Sequence, residues 1–234
     1  DSDQGLVTLQ RHVDSRHNHA AIATLRELGL NASFNMLIFD PDTTLASLEH
    51  NIAFMAAHTD FAFNFCRTEL YAGTPLLQRM LDAGRARGDY LGHDYTLRTP
   101  EVQRVFELSM QAFGPRNFGG GALHNDIGGW RLQLETVRHF APDDFRPGWR
   151  DEFSALQRRL GDDTVAGLQE IVAHVCGPRR RDDDELVRDL SLRLRRVEAE
   201  VRASWSSLHG RMMAAAAGAP RRRDTIGHDS TPLQ

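Results

Sequence analysis

Lysine is absent from this chain of 234 residues, so all 28 of its basic residues are arginine. The 32 acidic residues outnumber them and are interspersed, which indicates a codon or genome bias and not a nucleic-acid-binding surface. No stretch approaches the roughly 20 consecutive apolar residues of a membrane span, and no basic start leads into an apolar segment with a cleavage site. We therefore expect no nucleic-acid partner, no membrane partner and a cytoplasmic location.

Cysteine is also scarce, with only Cys66 and Cys176 in the chain. They can form at most one bridge, and a metal cluster held by several cysteines of this chain is excluded. The first residue is Asp1 and not Met. We expect a processed product or a part of a longer protein.

What is present, 41% hydrophobic and 26% charged residues, is typical of a globular protein. Asp14 and Ser15 predict the start of a helix that ends at Gly29. The apolar run 32–39 that follows is typical of a strand covered on both faces.

The alternation continues with a second helix, a second strand and a third helix. Asp42 or Thr43 is predicted to cap the second helix, residues 61–67 form the second strand, and Thr74-Pro75 opens the third helix. Two strands joined by a helix of about four turns run parallel with a right-handed crossover. Because two strands alone make an incomplete sheet, we expect their neighbours upstream or in another chain.

The remainder is predicted to be mainly helical. Apolar residues recur at three- and four-residue spacing, and Asp162 and Asp163 are predicted caps before Thr164. The predicted helices are 101–113, 130–140, 149–160, 164–176 and 182–209. Residues 221–234 have too few apolar side chains for a core, so we expect them to be disordered.

Candidate functional residues lie at the carboxyl ends of the two strands, where parallel sheets place their sites. Asn35 is polar within an apolar strand, which fits either a buried, hydrogen-bonded amide or a ligand contact. Arg67 and Glu69 follow the second strand. They could form a structural ion pair, or Arg67 could hold a ligand carboxylate.

Other chemically suggestive residues have simpler interpretations. Cys66 is expected to be a small core residue and not a nucleophile. The glycines at 119–121 lack the following Lys-Ser/Thr of a phosphate loop. A solvated helix start explains the three histidines better than a metal site, and a solvated tail explains the arginine triplet; these residues are His12, His17, His19, Arg221, Arg222 and Arg223.

Several short motifs resemble the closing part of the radical S-adenosylmethionine enzymes, in the branch that carries a cobalamin-binding domain. The motifs are Asn35-Met36-Leu37-Ile38-Phe39-Asp40-Pro41-Asp42-Thr43-Thr44-Leu45, Asn51-Ile52-Ala53-Phe54, Phe65-Cys66-Arg67-Thr68-Glu69-Leu70-Tyr71-Ala72-Gly73-Thr74-Pro75-Leu76 and Gly88-Asp89-Tyr90 with Tyr95. They keep the order and spacing of the family over residues 1 to about 118. The turn Asp40-Pro41-Asp42-Thr43 departs from the more usual Gly-x-Pro-x-Glu-Thr, although the cobalamin branch often has such a form.

The resemblance implies an α/β fold: the last two parallel βα units of a partial (β/α) barrel, followed by a mainly helical C-terminal domain. The implied divisions are 1–90 for the barrel part, 91–121 for a connecting segment, 122–220 for the helical domain and 221–234 for the tail. The family holds a four-iron four-sulfur cluster through CxxxCxxC after its first strand, a motif that this chain lacks. The chain is expected to begin just after the fourth barrel strand.

Six residues take roles from the matched family positions. Arg11 would hold the carboxylate of S-adenosylmethionine, Asn35 its ribose or amino-acid part, and Leu37 its adenine. At the end of the sixth strand, Arg67, Glu69 and Tyr71 would face the substrate or the adenine.

The resemblance also implies the chemistry of a longer parent protein. Its cofactors would be S-adenosylmethionine, the four-iron four-sulfur cluster and cobalamin, and its reaction a radical modification such as C-methylation of a small molecule or natural-product intermediate. The chain alone would be inactive, would bind none of these cofactors stably, and would pair with the upstream barrel half. The alternative is a noncatalytic interaction module, in which a degenerate barrel half carries a helical region, 182–209, that binds a partner helix.

Overall fold

The computed structural model describes residues 2–118, 121–178 and 181–218, and it has a mixed α/β fold that is mostly helical. Within those ranges, no helix is both long enough and apolar enough to cross a membrane. The elements in chain order are α1 Asp3–Thr8, α2 Ser15–Glu27, β1 Ser33–Phe39, α3 Leu45–Ala57, β2 Ala62–Arg67, α4 Pro75–Asp82, β3 Ala86–Asp89, β4 Gly92–Tyr95, α5 Pro100–Asn117, α6 Leu123–Phe140, α7 Gly148–Cys176 and α8 Asp183–Gly218.

Capping residues set most helix starts in the first third of the chain. Asp14 caps α2 as predicted, in a capping box with His17, and Thr74 caps α4 ahead of Pro75. The prediction that Asp42 or Thr43 caps α3 was wrong, because Thr44 is the N-cap residue. Thr43 is instead fully buried, and its hydroxyl donates to the Asp40 carboxylate at 3.0 Å within the turn after β1.

Strands β1 and β2 pair in parallel, which confirms the predicted βαβ unit. The register sets Asn35 opposite Asn64 and Leu37 opposite Cys66, so these four side chains lie on one face of the sheet. That face is open: Asn35 is exposed, and the other three are only partly buried. The prediction of a strand covered on both faces was therefore wrong.

The opposite face of the β1–β2 sheet carries the main core. Met36 and Phe65 are buried there against α3, α5 and α7, and the cluster extends to Leu194 in α8. The Phe65 ring meets Phe113 of α5 edge-on at 5.2 Å. Asn117, at the end of α5, donates from Nδ2 to the Phe65 carbonyl at 3.0 Å. The helical region thus packs on one face of the sheet, while the other face stays accessible.

Strands β3 and β4 form an antiparallel hairpin in a glycine-rich region for which the sequence pattern predicts no strand. Tyr95 of the hairpin is 1% exposed, and its hydroxyl donates to the Thr68 carbonyl at 2.6 Å and lies 3.3 Å from the Phe39 carbonyl. These carbonyls belong to the ends of β2 and β1. Tyr95 therefore fixes the hairpin to the carboxyl end of the sheet.

We expect Tyr95→Phe to lower the free energy of unfolding by about 1–2 kcal/mol, because it removes the hydroxyl that donates to the Thr68 carbonyl, whereas the Phe39 carbonyl keeps the Thr68 N–H as a donor. Urea unfolding followed by circular dichroism measures the loss. Tyr90→Phe at the exposed hairpin tip is the control, and its change should stay within about 0.5 kcal/mol. A Tyr95→Phe variant as stable as the wild type would contradict the tethering role.

Helix α7 is one continuous helix, so the predicted break before Thr164 was wrong. Asp163 does not cap a new helix; its carboxylate pairs with Arg116 at 2.9 Å and with Arg193 at 3.3 Å. Gly161 lets α7 lie close to the loop after α3, since a Cβ at this position would lie 2.8 Å from the Thr59 Cβ. Gly161 and Asp163, which resemble a helix boundary in the sequence, therefore make tertiary contacts inside one continuous helix.

The last helices are longer than predicted. Helix α6 begins at Leu123 and α8 continues to Gly218. The apolar stripe of α8 is already buried within the chain, so this stripe is not a free surface for a partner helix; its members are Leu186, Leu190, Leu194, Val197 and Val201. The implied division between residues 90 and 91 falls at the tip of the β3–β4 hairpin. The predicted disordered tail lies outside the described residues.

Candidate functional site

A cleft of about 810 Å³ lies at the carboxyl end of the β1–β2 sheet. Its walls come from the end of α1, the open face of the sheet, the loop after β2, and helix α5. All six residues predicted from the sequence line this cleft, and they are Arg11, Asn35, Leu37, Arg67, Glu69 and Tyr71. The structure therefore brings together side chains that are up to 60 positions apart in the sequence.

A second cavity of about 380 Å³, the edge groove, runs along β1 between that strand and helices α1 and α2. Five consecutive residues of β1, from Ser33 to Leu37, line it, so the groove follows the edge of the strand and not one face. Within the described ranges, β1 pairs only with β2. The cleft and the edge groove share Leu9, Arg11, Asn35 and Leu37.

The backbone before Arg11 directs this residue toward both cavities. Gln10 adopts φ 52°, and the Arg11 N–H donates to the Leu6 carbonyl at 2.8 Å while the Gln10 N–H donates to Val7. These bonds form a Schellman motif, in which glycine is the usual residue at the left-handed position. A glutamine there is strained by about 1 kcal/mol. The Arg11 side chain is exposed and has no ion pair with any described residue.

On the open face, Asn35 contacts Cys66 across the strands. The thiol donates to Asn35 Oδ1 at 3.3 Å, and burial raises the pKa of Cys66 although this hydrogen bond opposes the shift. Cys66 lines the cleft and is half-buried, so the expectation of a core residue was wrong. Asn35 is exposed in the described chain and accepts this hydrogen bond from Cys66, so within these residues it is not a buried amide. Asn64, beside Asn35, has a buried Oδ1 without a partner in the described ranges.

Arg67 is not paired with Glu69 in the part of the chain that the structure describes. Its Nη1 lies 2.8 Å from Asp94 Oδ1 and donates to the Tyr95 carbonyl at 3.0 Å. Burial acts to raise the pKa of Asp94, but hydrogen bonds from Arg87 and Arg67 outweigh it and lower this pKa below its usual value. Glu69 instead interacts with Tyr71, whose pKa is raised by that hydrogen bond.

Two residues that matter for the cleft were not predicted from the sequence: Phe106 lines it, and Asp94, which does not line it, pairs with Arg67. Asp94 comes from the unpredicted hairpin, and Phe106 comes from α5, whose position relative to the strands no local pattern encodes. The sequence indicates Tyr95 only as part of the family resemblance and predicts no structural role for it. The alternation Gly92-His93-Asp94-Tyr95 after a glycine-containing turn is the one signal that could have indicated the hairpin.

The donor set does not fit an iron–sulfur cluster. Cys66 and Cys176 are both free, and the described ranges hold no group of three or more His, Cys, Asp or Glu side chains that could bind a metal ion. His17 serves the cap of α2, while His19 packs edge-on against Phe54 at 5.3 Å. Residues 119–120 and 221–223 lie outside the described part of the chain.

Comparison with known proteins finds no matching family model, no matching curated protein and no matching solved structure.

Proposed function

We propose that this chain is the C-terminal portion of a cobalamin-type radical S-adenosylmethionine enzyme, and that it forms part of the S-adenosylmethionine and substrate walls. The observation that carries the proposal is the convergence of Arg11, Asn35 and Leu37 where the cleft meets the edge groove. The last two βα units of a partial barrel and the helical region after them belong to the same proposal.

The three residues offer the chemistry that S-adenosylmethionine needs. The Arg11 guanidinium, which has no ion-pair partner among the described residues, suits the carboxylate through charge-assisted hydrogen bonds. The Asn35 amide supplies a donor for the ribose or amino-acid part. Leu37 gives adenine an apolar contact on the same sheet face. S-adenosylmethionine would supply a carbon radical after taking one electron from the cluster of the upstream half, while these residues would orient it and limit access of water.

The open sheet supports the proposed upstream partner. A parallel sheet is normally larger than two strands and is covered on both faces. Here, one face at Asn35 and Leu37 is accessible, and the edge of β1 that has no strand partner in the described ranges borders the edge groove. An upstream barrel half would cover both features and would supply the CxxxCxxC loop that these residues do not replace.

The proposed function predicts that Arg11→Ala weakens S-adenosylmethionine binding more than about tenfold, or about 1.4 kcal/mol, because the carboxylate loses its charged partner. The protein to use extends this chain upstream through the CxxxCxxC loop, and calorimetry gives the dissociation constant. Arg98→Ala is the matched control, since Arg98 is exposed and lies outside both cavities. Equal affinities for wild type and Arg11→Ala would refute the assignment, as would an upstream reading frame without that loop.

A further inference from the structure

Arg67 holds its guanidinium group in a fixed plane at the wall of the cleft. The group lies over the Tyr95 ring at 4.6 Å and over the Phe106 ring at 5.2 Å, and both contacts are cation–π interactions. The Arg67 side chain is 23% exposed. Two rings and partial burial thus restrict a side chain that would otherwise sample many rotamers.

Among the described residues, hydrogen-bond and ion-pair partners contact only one side of this guanidinium. Nη1 contacts Asp94 and the Tyr95 carbonyl, whereas Nε and Nη2 have no hydrogen-bond partner among the described residues. The Nε–Nη2 edge is a fork that matches the two oxygens of a carboxylate. Binding an anion there would not require the Asp94 contact to break.

The local charge favours an anion. Asp94 is shared between Arg67 and Arg87, whose Nη2 lies 3.0 Å from Asp94 Oδ2. Two guanidinium groups thus share one carboxylate, and the cluster keeps a net positive charge. The charged side chains that line the cleft are Arg11, Arg67 and Glu69, which sum to one positive charge, so one carboxylate neutralises them.

The walls near Arg67 are apolar. Leu37, Phe106 and Met110 line the cleft, together with the half-buried Cys66. Arg67 is the charged side chain of this cleft whose orientation is restricted by packing, and apolar walls beside such a group suit a ligand with an apolar body and one complementary charge. We propose that Arg67 is the specificity-determining residue for a monocarboxylate substrate with an apolar body. This inference rests on the proposed function and adds the substrate class.

A pair of probes tests the inference on the chain itself. 3-Phenylpropionate and 3-phenylpropan-1-ol have the same apolar body, and only the first carries a carboxylate. Alkylation of Cys66 by iodoacetamide reports occupation of the cleft, and Cys176, which lies outside the cleft, is an internal control. At millimolar concentration, the acid should slow alkylation of Cys66 but not of Cys176, and its apparent affinity should exceed that of the alcohol at least about fivefold.

Arg67→Gln should abolish the preference for the acid, whereas Arg79→Gln, on α4 and paired with Asp42 outside the cleft, should retain it. The comparison of the probes in the wild type stands even if Arg67→Gln fails to fold. No protection of Cys66 by the acid, or equal protection by both probes, would overturn the inference. If the cleft prefers the acid but Arg11→Ala leaves the affinity for S-adenosylmethionine unchanged, the proposed function fails and the carboxylate site remains.

Discussion

Arg116→Ala is expected to lower the free energy of unfolding by about 3–5 kcal/mol, the cost of breaking a buried ion pair by removing one partner. The Arg116 side chain is 2% exposed. Its guanidinium lies 2.9 Å from Asp163 and 2.8 Å from Glu198, and it donates to Thr164 Oγ1 and to the Leu194 carbonyl. One side chain therefore joins α5, α7 and α8.

The two carboxylates would respond differently to the loss of Arg116. Asp163 keeps a second partner, Arg193 at 3.3 Å, whereas Glu198 has no other ion pair among the described residues. Arg116→Lys keeps the charge but replaces a five-donor fork by a single ammonium group, so it should fall between wild type and Arg116→Ala. This order separates the contribution of charge from that of geometry.

Urea unfolding followed by circular dichroism measures these differences. Arg188→Ala on α8 is the matched control, because Arg188 is 65% exposed and lies 3.9 Å from its partner Asp189. Its change should stay within about 0.5 kcal/mol. A loss below about 1 kcal/mol for Arg116→Ala would mean that the three helices do not depend on this network.

The parts of the fold that the sequence predicted well depend on short-range chemistry. Asp14 and Thr74 satisfy free backbone N–H groups of the first helical turn, and Pro75 at the first helical position needs no partner for its nitrogen. The parallel pairing of β1 and β2 follows from the length of the helix between them. These requirements are met within a few residues, so a local pattern reveals them.

Two of the wrong predictions concern residues whose partners are far away in the sequence. Asp163 looks like a helix cap until Arg116, 47 positions earlier, is known to pair with it. The wrong prediction for β1 has the same cause. An apolar run predicts that a strand is buried, but it does not show which distant segment covers each face. No local pattern could reveal either outcome.

The candidate site contains both kinds of feature, those that a local pattern predicts and those that depend on distant residues. Parallel strands end at the same edge of a sheet, so Asn35 and Arg67 were expected to lie near each other, and both line the cleft. The orientation of the Arg67 guanidinium could not be predicted, since Asp94 and Phe106 arrive from a hairpin and a helix that pack through tertiary contacts. The resemblance named the residues, and packing determines which donors remain for a ligand.

A second large effect is expected from a histidine in the helical region. His124 lies near the start of α6 and is 7% exposed. Burial disfavours its charged form and lowers the pKa from 6.5 to about 4. The folded protein therefore keeps His124 neutral over a range in which the unfolded chain binds a proton there.

Because the folded-state pKa is below the unfolded one, the stability linked to His124 is present above about pH 6.5 and is lost as the pH falls toward about 4. The shift corresponds to a loss of about 3 kcal/mol. Unfolding free energies measured across this range should show the wild type losing that much more than His124→Gln, in which the side chain stays neutral. His139→Gln, at an exposed position of the same helix, should follow the wild-type profile. If wild type and His124→Gln lose stability in parallel, a water-accessible His124 is the correct description.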